Sequence, residues 1–207
     1  MLSDKARPIV EATLPVVGEH IEEIANRFYA HMFAEHPDLQ DGVFNRGNQA
    51  EGSQPKALAG SVAVFATALV KDPQLPERLL TRIAHKHASL GIRPAQYQIV
   101  RDNLMWAIGD VLGDAVTTDV AAAWDEVYWL MAYALIHQER GLYSARGVTA
   151  ERVWRQWAVS EKIQETDDVV QFVMRRVDDR PVKTSLPGQY ITVNAPMPDG
   201  VRHASSV

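Results

Sequence analysis

Cysteine is absent from the chain. Disulfides, thiolate metal sites and cysteine nucleophiles are therefore excluded, and any metal must be held by His, Asp, Glu, Tyr or Met. The same absence fits a cytoplasmic location, which is the expectation taken forward. No apolar run approaches the roughly 18 residues that span a bilayer, so no transmembrane segment is expected. The N-terminal stretch MLSDKARPIVEATLP lacks a basic start followed by an apolar run, so no secretory signal is expected. Excess basic charge is missing as well. A net charge of −5 favours neither nucleic acid nor an anionic membrane surface as a partner. There are no internal repeats and no low-complexity tracts.

What remains is 207 residues, 46% of them hydrophobic and five of them Trp, enough to bury a core in one or two domains. The first 145 residues carry helical periodicity. It predicts helices over about 3–18, 19–36, 55–71, 76–88, 94–113 and 118–143, with a short turn near 37–42. Pro55, Pro76 and Pro94 each stand where a first helical position is expected, since the N–H they lack would be unpaired there. Gly91 follows the fourth helix, where a left-handed cap is common. The stretch GVFNRGNQAEGSQ at 42–54 is polar and glycine-rich and reads as a loop. After Gly147 the period shortens. Val153 to Val159 and Val169 to Val177 are β-type runs, and SLPGQYITV at 185–193 reads as a turn feeding a third strand. The final MPDGVRHASSV carries no regular signal. The boundary therefore falls near 147, dividing an all-α domain (1–145) from a β segment (148–207).

Two of the seven histidines lie close together in AHKHASL. Helical spacing separates them. Leu79, Leu80, Ile83 and Leu90 mark one apolar face, and His87 falls on it, four residues after Ile83 and seven after Leu80. His85 falls with Arg82 and Ser89 on the wet side. His20, His31, His36 and His137 sit among polar neighbours, and His203 lies in the tail. On this segment alone, the commoner state of such an inward histidine is a core residue satisfied by a neighbour.

The next helices add partners. Tyr97, Val100, Leu104, Ile108 and Val111 form an inward stripe. In the last helix Trp124, Tyr128, Met131, Leu135 and Glu139 step by three or four, so Glu139 ends an apolar stripe, where a carboxylate is costly unless paired. A histidine, a tyrosine and a glutamate thus project from three helices towards one interior. A metal-ligating histidine usually donates its other ring N–H to such a group. On spacing alone, Glu139 is equally a partly exposed end-of-helix residue. From the second helix come Phe28, Tyr29, Met32 and Phe33. Tyr29 is either ordinary core or a phenol aimed at a ligand. Gln54 and Leu58 face one way at i and i+4, and Gln54 by itself reads as a helix-start residue.

These residues arrive in a familiar pattern. The stretches FYAHMF (28–33), FNRGNQAEGSQPKAL (44–58), RIAHKHASLGIRPAQY (82–97) and LIHQERGLY (135–143) resemble the globin domain of flavohaemoglobins and of single-domain bacterial haemoglobins. They recur in family order over about 140 residues. The resemblance implies a mainly α globin fold of six long helices. It implies haem b as cofactor, with His87 as the iron ligand and Tyr97 and Glu139 coupled to it. It further implies Tyr29 and Gln54 as the distal pair over bound oxygen, and Leu58 and Phe44 packed against the haem. Past 147, RVWRQWAVSEKIQETDDVVQFVMRRVD and LPGQY resemble the opening strands of the family's FAD-binding β-barrel of the ferredoxin-reductase type. There Tyr190 would contact the flavin. The resemblance then fails: where the family has Arg-x-Tyr-Ser, this chain has Arg202, His203, Ala204 and Ser205. An incomplete barrel is therefore expected, mobile or weakly docked and without tight FAD binding.

The full family oxidises nitric oxide to nitrate on an oxygen-binding haem, with electrons from NAD(P)H passing through FAD. The resemblance thus implies oxygen and nitric oxide as partners and, given the incomplete flavin site, a separate flavin/NAD(P)H reductase. Two further readings stand beside this one. One is an oxygen-binding or oxygen-delivering haemoglobin that uses the same haem-site residues. The other is a helical interaction or sensor domain without haem, which a Soret band would exclude.

Overall fold

Helix starts and stops explain most of the architecture. The computed structural model describes residues 1–40, 53–71, 76–182, 184–196, 198, 200 and 202–206. Six α-helices are described: α1 (Ala6–Glu19), α2 (Ile21–Glu35), α3 (Ser53–Lys71), α4 (Pro76–Leu90), α5 (Pro94–Leu112) and α6 (Thr118–Arg146). A short 3₁₀ turn, Pro37–Gln40, follows α2. Pro76 and Pro94 open their helices as expected. α3 begins two residues before Pro55, which still lies in the first turn, where backbone N–H groups have no intrahelical acceptor. Thr117 caps α6, its hydroxyl accepting the Val120 N–H at 3.3 Å.

Two helices end in the same way. Gly91 has φ +77°. Its N–H bonds the Ala88 carbonyl at 3.4 Å, and the Ile92 N–H bonds the His87 carbonyl at 3.2 Å. That is the Schellman pattern, with glycine supplying the left-handed residue. Gly147, at φ +66°, repeats it for α6: Gly147 N–H to Ser144 and Val148 N–H to Tyr143. His87 and Tyr143 therefore occupy equivalent places in two capped helix ends.

The apolar stripes read from the sequence are buried. Phe28 and Met32 of α2, Leu104 and Ile108 of α5, and Trp124, Tyr128, Met131 and Leu135 of α6 join one cluster with Leu80 and Ala84 of α4. α2 lies against α3 and α5, α4 against α3 and α6, and α1 against α3 and α6. The layering is helix on helix around a single core. Among the described residues, no helix is long and apolar enough to cross a membrane.

The β segment consists of two antiparallel hairpins. β1 (Trp157–Gln164) pairs with β2 (Val170–Arg176), and β3 (Thr192–Pro196) with β4 (Arg202–Ser206). Three differences from the sequence reading have physical causes. The first strand runs over 157–164 rather than 153–159, because Ala150–Arg152 form a 3₁₀ turn and Val153 packs beside Gly91. Its register slips between Val159 and Glu161, an extra residue on one strand. β4 was not anticipated. Its residues have weak intrinsic strand preference, and pairing with β3 decides their conformation. The described strands form two separate two-stranded sheets rather than a closed barrel. β1 and β2 bury almost none of their side chains, and Val159, Phe172, Val173 and Met174 are exposed.

Candidate functional site

α4, α5 and α6 bring His87, Tyr97 and Glu139 together. Glu139 Oε1 accepts from the Tyr97 hydroxyl at 2.5 Å and lies 2.9 Å from His87 Nδ1. The Tyr97 hydroxyl is also 2.9 Å from His87 Nδ1. Glu139 is only 2% exposed. A carboxylate that deep is tolerated because charged hydrogen bonds replace its water. Those partners fix the tautomer of His87. An unprotonated Nδ1 would set its lone pair against a carboxylate oxygen, so Nδ1 carries the proton and donates it. In the neutral ring Nε2 then holds the lone pair. Among the described residues nothing bonds Nε2, and the imidazole side chain keeps 31% of its surface accessible. Burial, and after it the charge of Glu139, push the Tyr97 phenol far above its ordinary pKa, so Tyr97 remains a proton donor.

The backbone of His87 is held as firmly as its ring. Its carbonyl accepts from Ile92 in the helix cap, and the Ile92 carbonyl accepts from the Tyr143 hydroxyl at 2.9 Å. Tyr143 stands one turn beyond Glu139 on α6. Thus α6 fixes the side chain of His87 through Glu139 and its main chain through Tyr143 and Ile92. Tyr128 braces α5 from the same helix, its hydroxyl donating to the Tyr97 carbonyl at 2.5 Å. Burial raises the pKa of this phenol too.

The other expected site residues scatter more widely. Tyr29 is half-buried on α2, edge-on to Phe28 (centroids 4.7 Å apart) and stacked on Phe33 (5.7 Å). Leu58 packs partly buried against the core. Gln54 falls in the first turn of α3, its side chain outside the described residues, and Phe44 lies outside them altogether. Tyr190 is 40% exposed in the turn before β3. That turn closes with the Gln189 N–H on the Leu186 carbonyl and Gly188 at φ +77°. Sequence reasoning put Ser89 on the wet side with His85. His85 is exposed, but Ser89 is half-buried and accepts a hydrogen bond from Thr192 of β3 at 2.9 Å. Helical phase alone could not show this, because the partner lies 103 residues away. His31 is expected among polar neighbours, and its Nδ1 meets the buried, polar Asn103 Oδ1 at 2.6 Å while its ring stacks on Trp106. A polar Asn103 four residues after Ile99, within an inward helix, was the available signal.

The donor set can be tested against iron. Among the described residues, no group of three or more His, Asp or Glu side chains gathers as a bare-metal site would require. One imidazole with its lone pair presented and its opposite nitrogen anchored suits a metal whose remaining donors come from a macrocycle. The residues present therefore fit haem. For FAD the described residues offer Tyr190 before β3, while β4 carries Arg202, His203, Ala204 and Ser205 in place of the Arg-x-Tyr-Ser of the family, so the flavin site is incomplete.

The globin family model matches residues 26–135. The chain belongs to the globin family. This globin is 40% identical over 203 residues to the flavohemoprotein of Rhizobium meliloti (strain 1021), an alignment covering 96% of this chain and 49% of that protein. It thus spans about half the length of the curated relatives it matches. Among solved structures, the flavohemoglobin of Malassezia yamatoensis, which has bound FAD and heme, superposes with a TM-score of 0.89 at 41% identity, covering 99% of this chain and 53% of that one. A bacterial globin from Campylobacter jejuni superposes at 0.63 with 27% identity, covering 69% of this chain and 99% of that one. The flavohemoprotein likeness therefore runs through the globin helices and on into the β hairpins.

Proposed function

We propose that the chain binds haem b through His87 and serves as the haem unit of a nitric oxide dioxygenase that draws electrons from a flavin/NAD(P)H reductase. The observation that carries this reading is the anchored imidazole: Nδ1 donates to a buried carboxylate and a phenol, and Nε2 presents a lone pair. When bound, the haem would supply an iron that takes up oxygen and changes oxidation state. The protein's part is orientation and electrostatics. Glu139 makes the imidazole more electron-donating by accepting from Nδ1–H. Tyr97 donates to Glu139 and keeps its oxygen aimed at the ring. Tyr29 and Gln54 would donate hydrogen bonds to negative charge developing on the distal oxygen, the kind of preorganised help that stabilises such charge in enzymes generally. Leu58 and Phe44 would pack against the macrocycle and keep water away.

Residues 1–145 act as the haem domain and 148–207 as a segment of flavin-domain type, in which Tyr190 is the flavin contact. The Malassezia yamatoensis protein, with its bound FAD and heme, supports that division.

The test uses the full chain reconstituted with haem. A Soret band at one haem per chain is the first requirement, and His87→Ala should abolish it. The loaded protein is then reduced anaerobically and given oxygen and nitric oxide with an added reductase, and nitrate is counted per haem. Repeated stoichiometric nitrate supports the dioxygenase. Reversible oxygen binding without nitrate would point to the oxygen-delivery reading instead.

A further inference from the structure

Ser89 lies two residues beyond His87, and its hydroxyl serves two bonds at once. It donates to the Lys86 carbonyl at 2.7 Å and accepts from the Thr192 hydroxyl at 2.9 Å. The direction of each bond follows from proton count: Ser89 has one O–H, and only a donor can satisfy the Lys86 carbonyl. The Lys86 carbonyl belongs to the same peptide unit as the His87 N–H. A continuous run of hydrogen bonds therefore links β3 of the C-terminal hairpin to the peptide that carries the candidate iron ligand. Successive hydrogen bonds polarise one another, so the run behaves as a unit.

Two other observations bear on the same junction. Gly91, at the end of α4, is pressed against Ala150 and Val153, so the segment after Gly147 touches this helix end twice. On the hairpin, Ala204 is buried opposite Asn194, whose Oδ1 is enclosed without a hydrogen-bond partner among the described residues. Thr192, whose hydroxyl joins the hairpin to α4, stands two residues after Tyr190.

We propose that Ser89 and Thr192 are positioning residues that couple docking of the C-terminal hairpin to the helical turn bearing His87. A docked hairpin holds the Lys86–His87 peptide and so the pitch of the imidazole. An undocked hairpin releases Ser89 and loosens that turn. The coupling to iron rests on the haem reading above, while the coupling between hairpin and helix does not.

The test compares the full chain with Thr192→Val, which is nearly isosteric but cannot donate, and Thr192→Ser, which can. In the haem-free protein, amide hydrogen exchange should show Thr192→Val losing protection over both 192–206 and 86–92, by about five-fold, the worth of one neutral hydrogen bond. Thr192→Ser should restore both. In the haem-loaded ferrous protein, the iron–histidine stretching band should shift in Thr192→Val and return in Thr192→Ser. Loss of protection confined to 192–206 would overturn the proposal, since the hairpin would then be tethered without reaching His87. Equal loss across all six helices would overturn it as well, as a global destabilisation. An unmoved iron–histidine band with the hairpin undocked would refute the coupling to the ligand. Failure of the unaltered chain to take up haem would defeat the haem reading alone, and the exchange experiment would still decide the relay.

Discussion

Gly91→Ala and Gly147→Ala form a matched pair, because both glycines end a helix in the left-handed region, at φ +77° and +66°. The backbone cost of an L-residue there is about 1–2 kcal/mol. Replacing glycine also restricts the unfolded chain, which returns roughly 0.4–1 kcal/mol. Gly147→Ala should therefore cost about 1 kcal/mol, since a Cβ there meets no atom within 4 Å. Gly91 differs in its surroundings. A Cβ on it would stand 2.7 Å from the Ala150 carbonyl oxygen and 2.9 Å from Val153 Cγ2. Val153 could turn its methyl away, but the carbonyl is main chain and can yield only if the 150–152 turn moves. Overpacking of that kind adds about 1–3 kcal/mol, bringing Gly91→Ala to about 2–4 kcal/mol. Urea denaturation measures both, provided the slope is unchanged and the comparison rests on the midpoint. Should Gly91→Ala cost no more than Gly147→Ala, the contact between the His87 helix and the segment beyond 147 would not exist in solution, and the whole account of that junction would fall.

Three further outcomes are expected. Tyr97→Phe removes a hydrogen bond to a buried carboxylate, worth about 2 kcal/mol, and for a chain of this size should lower Tm by roughly 4–8 °C. An unchanged melting curve would mean that Tyr97 and Glu139 are not bonded in solution. Alkaline pH should destabilise the fold through Tyr97 and Tyr128 and, to a smaller extent, the half-buried Tyr143, whose pKa values are all raised by burial. A raised folded pKa gives stability that is full below the unfolded value near 10 and is lost as pH rises towards the folded value, at about 1.4 kcal/mol per pH unit for each phenol. Tyr97→Phe should therefore remove between a third and a half of this tyrosine contribution between pH 10 and 12, because Tyr143 is less buried than the other two, and equal slopes in the two proteins would contradict it. Finally, Tyr29→Phe should speed oxygen dissociation from the haem-loaded protein by roughly a hundred-fold, the lower end of what one well-placed donor supplies. Stopped-flow mixing reads this directly, and an unchanged off-rate would remove Tyr29 from the distal site.

The helical part was legible because its signals are local. Proline at helix starts, glycine at two ends and apolar stripes every three or four residues each act within a turn or two, and all six helices stand within a few residues of their expected spans. The Tyr97–Glu139–His87 meeting was legible for a related reason: three helices each pointed one polar group inward, and buried polar groups seek each other. What was missed depends on distant partners. β4 is a strand because β3 lies beside it, and Ser89 is a bonding residue because Thr192 reaches it from 103 positions away. His31 shows the middle case. Its neighbours on α2 look polar, yet Asn103 and Trp106 on α5 enclose it.

The position of His87 is determined more than once, and that redundancy bears on how the site could work. Its ring is held by Glu139, four residues before Tyr143. Its carbonyl is held by Ile92, whose own carbonyl is held by Tyr143. The Tyr143 carbonyl in turn closes the cap around Gly147, and three residues on, Ala150 presses against Gly91, which closes the cap around His87. The bonds thus make a circuit through both helix ends and across residue 147. A ring held only by Glu139 could pivot about its side-chain torsions as that carboxylate shifted. With the main chain fixed in the same circuit, the Cα from which the ring projects cannot shift unless the segment beyond 147 moves too. The segment just beyond 147 is therefore joined to the main chain of His87. Deleting residues 148–207 should disturb the hold on His87 even though Glu139 and Tyr97 remain in place.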